Sequence, residues 1–210
     1  MVETLNSALL GNRFRDGLVY AAELHHDQVR KGTGIPYVAH LFSVAALVLE
    51  DGGDEDQAIA ALLHDAVEDQ GGRPTLDAIR SRFGERVAHI VEACSDAETW
   101  PKPPWRERKE RYIRHLDRAD ASVLRVSLAD KLHNARAILQ DYRAVGEQLW
   151  SRFNASRNDT LWYYRAVLDV FGRRSSSPLV HELARTLDQL EELVDQNGVV
   201  SNPARKRKAP

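Results

Sequence analysis

Apolar residues recur every three or four positions along most of the chain, which is the repeat of helices that bury one face. Phe14, Leu18, Ala21 and Val29 follow this repeat and predict a first helix over residues 14–30. Further helices are predicted at roughly residues 38–50, 54–69, 75–83, 85–94, 105–116, 121–142, 158–172 and 178–196, with glycines and prolines between several of them. No segment alternates with period two for long enough to predict a sheet. The pattern therefore predicts an all-α bundle of about ten helices.

The length of the chain fits one domain. It has 210 residues, of which 43% are hydrophobic and 29% charged, as in ordinary globular proteins. This is enough to bury a substantial core but short for two domains. We predict a single domain over residues 1–197, followed by a disordered basic tail over residues 198–210.

The charge and the cysteine content limit the possible binding partners and the cellular compartment of the protein. The formal net charge of −2 provides no global field for nucleic acid, so an anionic substrate must meet local positive charge or a metal. The single cysteine, Cys94, excludes an intrachain disulfide and suits a reducing compartment. The strongly apolar stretch at residues 41–49 is far shorter than the ~20 residues of a membrane helix. These features predict a cytoplasmic protein without a membrane or nucleic-acid partner, and leave open whether it forms a homo-oligomer.

The first chemical signal is His64-Asp65, which follows the apolar run Ala60–Leu63 in a predicted helix. Burying such groups is costly unless a metal or a partner compensates them. On a continuous helix, Glu68 lies one turn beyond His64 and Asp69 one turn beyond Asp65. A solvated acidic helix end would explain Glu68 and Asp69, but it explains His64-Asp65 poorly.

Asp130 is the second signal, because most residues around it in the predicted helix 121–142 are apolar. A metal would compensate this carboxylate and complete the His64-Asp65 pair. The alternative is a structural Asp paired with Lys131 or Arg136.

His40 is the third signal. It follows a glycine-containing basic loop of the kind that can approach a phosphate closely. A lone histidine is more often structural, yet here it would give two imidazoles and two carboxylates from three helices. Such a mixed set with open positions suits Mn²⁺ best, with Fe²⁺ and Zn²⁺ as alternatives. Glu68 and Asp69 could then orient or deprotonate a water molecule.

These residues together resemble the HD superfamily of metal-dependent phosphohydrolases, and more specifically the hydrolase domain of the RelA/SpoT family and its small alarmone hydrolases. The resemblance covers most of residues 18–165. Its motifs are His25, Gln28, Arg30 and Lys31; Pro36-Tyr37 with His40; HDAVEDQ at 64–70; and LADKLHN at 128–134.

The resemblance implies an all-α, Mn²⁺-binding enzyme that removes the 3′-pyrophosphate of (p)ppGpp and releases GDP or GTP. The metal ligands carried over from the family are His40, His64, Asp65 and Asp130, and the catalytic pair is Glu68 and Asp69. Arg30 and Lys31 match residues around the guanine base, and Asn134 matches a residue facing the nucleoside.

Three departures from the family pattern bear on the base. The loop before His40 is one residue longer, Gln70 replaces a common Thr, and Ala137 replaces a hydroxyl residue. The adenine alarmone ppApp therefore stays open as a substrate. Two other functions also stay open: an HD enzyme for nucleoside monophosphates or dNTPs, and a non-catalytic nucleotide-sensing module. The complete set of metal and Glu-Asp positions favours an enzyme.

The basic helix predicted over residues 105–116 offers charge for pyrophosphate. Arg108, Lys109 and Arg111 are the candidate substrate-binding residues. A solvated basic face, with Glu107 and Glu110 interleaved, is an equally good interpretation of this segment.

Overall fold

A computed structural model of the chain describes residues 10–95 and 103–200, with side chains to residue 197. This part of the chain forms ten α-helices and one 3₁₀-helix, and its only paired extended residues are Val29 and Pro36, so the predicted all-α fold is confirmed. The α-helices are α1 (Asn12–Leu24), α2 (Val38–Glu50), α3 (Glu55–Leu63), α4 (Ala66–Asp69), α5 (Arg73–Phe83), α6 (Glu85–Cys94), α7 (Trp105–Leu116), α8 (Ala121–Val145), α9 (Arg157–Arg174) and α10 (Pro178–Val200), with the 3₁₀-helix at Gly146–Arg152. The tail predicted from residue 198 is helical in backbone to Val200, and the rest of it lies outside the described residues.

Helix α8 occupies the middle of the bundle and packs against α2, α3, α6, α9 and α10. Leu128, Leu132 and Ala135 are fully buried along it, as an apolar helix in a core requires. The side chain of Asp120 accepts hydrogen bonds from the backbone N–H groups of Ser122 and Val123, which caps the start of the helix. Because α8 lies in the middle of the bundle, Asp130, near the centre of this helix, is buried. None of the helices in the described ranges is long and apolar enough to cross a bilayer.

Helix α3 begins with a side-chain cap at Asp54. The Asp54 carboxylate accepts from the backbone N–H of Gln57, and the Gln57 side chain accepts from the backbone N–H of Asp54. Arg86 of α6 also donates to Asp54 at 2.7 Å. This reciprocal cap fixes where the helix that leads to His64 begins.

Replacing Asp54 with alanine should lower the free energy of unfolding by about 1–2 kcal/mol, because a capping acceptor is lost. Urea denaturation followed by circular dichroism measures the change. Asp54→Asn keeps an acceptor oxygen without the charge and should recover most of the loss. Equal stability of the alanine variant and the wild type would contradict a stabilising role for this cap.

The first helix is shorter than predicted, since α1 ends at Leu24 rather than near residue 30. The following residues pair with the chain before α2 instead: Arg30 N–H donates to Ile35 O and Tyr37 N–H to Gln28 O, each at 2.8 Å. The turn between them contains Gly32 at φ +76°, where a Cβ atom would lie 2.5 Å from the Arg152 side chain. The resulting tight loop presents Arg30 and Lys31 beside α8.

The helix predicted to run through residues 54–69 is interrupted at His64-Asp65, which separate α3 from α4. The His64 ring nitrogen Nδ1 lies 2.7 Å from the carbonyl oxygen of Ala61. A continuous helix would use that carbonyl for the N–H of Asp65, so the side chain competes with the helical ladder. The pair therefore sits at a junction, and the prediction of one unbroken helix was wrong.

Candidate metal centre and active site

Three helical segments bring His40, His64, Asp65 and Asp130 to one point. The Nε2 atoms of His40 and His64 lie 3.3 Å apart. His64 Nε2 lies 3.0 Å from Asp65 Oδ2 and 3.6 Å from Asp130 Oδ1, and His40 Nε2 lies 3.5 and 3.3 Å from the same two atoms. Both rings are almost fully buried, whereas the Asp65 side chain is 25% exposed, so the cluster lies where the core meets the surface.

These separations suit a single cation. Ligand atoms held at about 2.1 Å from one ion lie about 3.0–3.4 Å apart when they are neighbours in octahedral or tetrahedral geometry. One potential ligand atom from each of His40, His64 and Asp65 lies within 4.8 Å of the other two. Two imidazole nitrogens with two carboxylate oxygens form a donor set for a borderline-hard divalent ion. The arrangement is therefore compatible with the four ligands predicted from the sequence.

The electrostatics of the cluster also favour a cation. Burial alone would lower the pKa of His64, but the carboxylates of Asp65 and Asp130 outweigh it and raise that pKa well above its usual range. Burial would raise the pKa of Asp65, yet His64 and His40 hold it well below its usual range. The carboxylates thus stabilise positive charge at this point, whether it is carried by a proton or by a metal ion.

Each ring of the cluster has a second nitrogen that is engaged elsewhere. His64 Nδ1 faces the carbonyl of Ala61, an acceptor only, so this nitrogen carries a proton and Nε2 is the nitrogen that faces the cluster. His40 Nδ1 lies 2.7 Å from Nδ1 of His133. Burial, together with His40 and Arg30, lowers the pKa of His133 to about 4, so His133 is neutral at pH 7.

Tyr37 supports Asp65 from the side of the loop before α2. Its hydroxyl donates to Asp65 Oδ2 at 2.5 Å, the same oxygen that faces the two histidines. Burial and the neighbouring Asp65 raise the pKa of Tyr37 far above its usual value, so the phenol stays protonated and acts as a donor. Tyr37 was noted in the sequence only as part of a motif, without a role.

Asp130 has a hydrogen-bond donor on each oxygen. Lys131 Nζ donates to Oδ2 at 2.5 Å, and Asn134 donates to Oδ1. Arg30 in turn donates to the side-chain oxygen of Asn134 at 2.9 Å. The ion pair with Lys131 that the sequence offered as an alternative to metal ligation is therefore present alongside the histidine contacts. Arg136, the other partner considered, pairs with Glu182 instead.

Asp65 and Asp130 line a cleft of about 310 Å³. Four cationic side chains share its lining, namely Lys31, Arg108, Lys109 and Lys131. Aromatic walls are contributed by Tyr37, Trp105 and Phe153. Lys31 Nζ also donates to Asn154 at 3.2 Å, which ties the loop before α2 to the segment after the 3₁₀-helix. The cleft thus joins an acidic cluster to a basic wall, as binding of a metal and a polyphosphate would require.

The predicted catalytic pair is divided between two environments. Glu68 lines the cleft, whereas Asp69 accepts a hydrogen bond from Gln28 at 2.8 Å. Gln70 donates to the same Gln28 side chain, also at 2.8 Å. Burial raises the pKa of Asp69 above its usual value. Glu68 therefore has the more direct access to a bound substrate, and the catalytic role of both residues stays a prediction.

Arg111 is not brought to the cleft. It is exposed on α7 and pairs with Glu107 at 3.0 Å, one turn away. The inward face of α7 is set by the buried Tyr112, and Arg108 lies on that face because the two are four residues apart. Of the three candidate substrate-binding residues on this helix, only Arg108 and Lys109 line the cleft.

A second cleft of about 350 Å³ lies behind His40. Arg30, Lys31, His133 and Arg136 are among its lining residues, and Ala137 lies there as well. Lys31 lines both clefts, so they adjoin each other. The departure from the family pattern at Ala137 therefore changes this second cleft rather than the acidic cluster.

Tyr37, His133 and Asn154 contact the site but were not assigned roles there from the sequence. For one of these residues, His133, the spacing in the sequence indicates a place near the site. His133 lies three residues after Asp130 on α8, a spacing that shares a helix face. For Asn154, which lies in an irregular segment, the sequence contains no comparable signal.

The sequence is similar to those of known proteins. Residues 17–161 match the family described as HD domain. A Xenopus tropicalis protein named guanosine-3′,5′-bis(diphosphate) 3′-pyrophosphohydrolase MESH1 is 38% identical over 135 residues, which cover 63% of this chain and 70% of the frog protein. The human protein of that name is 38% identical over 120 residues, covering 56% of this chain and 64% of its own length, slightly less than two thirds.

The fold has a close counterpart among solved structures. A metazoan ortholog of SpoT, described as hydrolysing ppGpp and playing a role in starvation responses, superimposes with a TM-score of 0.68. The match covers 91% of this chain and 98% of that one, at 24% identity. At this identity the comparison supports the fold alone.

Proposed function

This chain belongs to the HD domain family, and we propose that it hydrolyses the 3′-pyrophosphate of (p)ppGpp with a divalent cation held by His40, His64, Asp65 and Asp130. The observation that carries the proposal is that these four side chains meet at one point, and that two of them, Asp65 and Asp130, line a cleft with a basic wall. The similar proteins named as guanosine-3′,5′-bis(diphosphate) 3′-pyrophosphohydrolases support the same substrate. Mn²⁺ is the cation we propose, since nitrogen and carboxylate ligands with open positions suit it.

The reaction adds water across one P–O bond. The bond between the 3′-oxygen and its phosphorus breaks, the water oxygen stays with the released pyrophosphate, and the 3′-oxygen gains a proton. A divalent cation, when bound, polarises a phosphoryl oxygen and lowers the pKa of a nearby water. Glu68, on the cleft wall, is the residue we propose to accept the proton of the water.

The chain's cationic residues supply the remaining charge compensation. Lys31, Arg108 and Lys109 line the cleft and would hold the oxygens of the pyrophosphate. Arg30 and Asn134, which bond each other at 2.9 Å, lie at the junction with the second cleft and would face the nucleoside. The choice between guanine and adenine would then depend on the second cleft, where Ala137 leaves a smaller side chain.

Product analysis tests this function. Purified protein with Mn²⁺ is incubated with pppGpp, ppGpp and ppApp, alongside dGTP and GMP as controls. We expect intact pyrophosphate from at least one guanosine alarmone, and no release after addition of a chelator. Turnover of dGTP or GMP alone would favour a different HD phosphohydrolase. A protein that binds alarmone without turning it over would be a nucleotide-sensing module instead.

A cytoplasmic location and the absence of a nucleic-acid partner stay predictions from the sequence, and the oligomeric state stays open. A small-molecule substrate is the partner that the cleft supports, since its dimensions suit a nucleotide phosphate group rather than a macromolecule.

A further inference from the structure

His40 and His64 differ in the group that contacts Nδ1, the ring nitrogen that does not face the cluster. His64 Nδ1 faces a backbone carbonyl, whose position is set by helix α3. His40 Nδ1 faces another imidazole, with 2.7 Å between it and Nδ1 of His133. The two rings are 4.8 Å apart at their centroids and inclined by 43°. Two nitrogens at this distance share one hydrogen, so one ring donates and the other accepts.

The direction of this bond follows from the role of His40. A histidine that binds a cation through Nε2 must keep the lone pair of that nitrogen, so its proton lies on Nδ1. His40 then donates from Nδ1, and Nδ1 of His133 must accept. The second nitrogen of His133 carries the remaining proton in this arrangement. His133 therefore selects the tautomer of His40 that can bind a metal ion.

We propose that His133 is a positioning residue for the metal centre, which fixes the ring orientation and tautomer of His40 without touching the cation. Its location supports this role. Helix α8 supplies Asp130 as a ligand and, three residues later, His133 as the acceptor for a ligand that comes from α2. One rigid helix thus sets the distance between two of the four ligands, which lie 3.3 Å apart.

His133 contacts His40 on the Nδ1 side of that ring, not on the Nε2 side that faces the acidic residues. Its side chain lines the second cleft together with Arg30 and Arg136, whereas the Nε2 atom of His40 points to the acidic residues. With Nδ1 occupied by His40, this nitrogen of His133 is not available to a metal ion. The ring is also half-buried rather than in the core, so its replacement should leave the bundle folded.

The inference rests on the proposed metal site, and its test measures metal binding rather than activity. Mn²⁺ is titrated into the full chain and the free ion is followed by electron paramagnetic resonance. His133→Leu should weaken Mn²⁺ binding by about 10- to 100-fold, the usual cost of losing an outer partner of a metal ligand. His133→Gln offers an acceptor oxygen and should recover most of that loss. His181→Leu, at an exposed position on α10, is the matched control.

A second readout reports the bond itself. In ¹⁵N-labelled, Zn²⁺-loaded protein, a nitrogen–nitrogen coupling across N–H···N should connect His40 Nδ1 with His133 Nδ1, and the hydrogen should belong to His40. If His133 only packed against its neighbours, we would expect neither this coupling nor the recovery of Mn²⁺ binding in His133→Gln.

The outcomes separate the two proposals. Wild-type protein that binds neither Mn²⁺, Fe²⁺ nor Zn²⁺ would overturn the metal site, and the role of His133 with it. Wild-type binding together with equal binding by His133→Leu would overturn the role of His133 alone. If the leucine variant does not fold, His133→Gln and the coupling in the wild type still decide, because a proton found on His133 Nδ1 contradicts the proposal.

Discussion

Replacing Asp65 with alanine is expected to abolish divalent-cation binding and turnover while leaving the helical bundle folded. Asp65 Oδ2 lies 3.0 Å from His64 Nε2 and 3.5 Å from His40 Nε2, at the centre of the cluster. Without it, two imidazoles and one carboxylate remain, and that carboxylate is already paired with Lys131. We expect cation affinity to fall by more than about 100-fold, which exceeds the loss typical of outer partners.

The fold should survive this change because Asp65 is not a packing residue. Its side chain is 25% exposed at the junction of α3 and α4. The main structural loss is the hydrogen bond from Tyr37, which leaves a half-buried hydroxyl without this acceptor at a cost of at most about 1–3 kcal/mol. That is less than the roughly 5–15 kcal/mol by which domains are ordinarily stable.

Three measurements check the expectation: Mn²⁺ titration, pyrophosphate release from ppGpp, and thermal unfolding by circular dichroism. Asp169→Ala, at an exposed position on α9, removes a carboxylate elsewhere and should behave as the wild type in all three. Normal turnover by Asp65→Ala would show that the metal ligands have been assigned wrongly.

The sequence predicts the helices well where glycine, proline or a cap marks their ends. Helix α2 lies at residues 38–50 as predicted, between Pro36 and the glycines that follow Asp51. The prediction from sequence fails where contacts outside the helix determine where the helix ends. Residues 25–30 continue the apolar repeat of α1, yet the antiparallel contact between Val29 and Pro36 replaces their helical hydrogen bonds.

The sequence identifies a residue of the candidate site only where the residue type and its neighbours in the sequence indicate its chemistry. His64, Asp65 and Asp130 were identifiable because charged groups in apolar helices need compensation. His133 has no such signature, because its role depends on which atom of His40 faces it. Arg111 shows the opposite failure: its charge fitted a phosphate site, but the rotation of α7 in the bundle turns it to solvent.

Replacing Glu68 with glutamine is expected to leave cation binding intact and to lower turnover by about 10²–10⁴-fold, the usual contribution of a positioned acid or base. Glu68 lines the same cleft as Asp65 and Asp130, but the cluster of nearest ligand atoms is formed by other residues. Glutamine has nearly the same volume and can still accept a hydrogen bond. It cannot accept a proton at neutral pH, so only the chemical step should suffer.

The contrast between the two variants separates binding from chemistry. If Asp65→Ala loses the cation and Glu68→Gln keeps it, the residues that hold the ion differ from the residue that moves the proton. Glu192→Gln, at an exposed position on α10, serves as the matched control for a change of charge alone. Loss of Mn²⁺ by Glu68→Gln would instead make Glu68 a ligand, and the water would then need another base. Asp69 is the remaining carboxylate of the predicted pair, and it would have to leave Gln28 to reach the cleft.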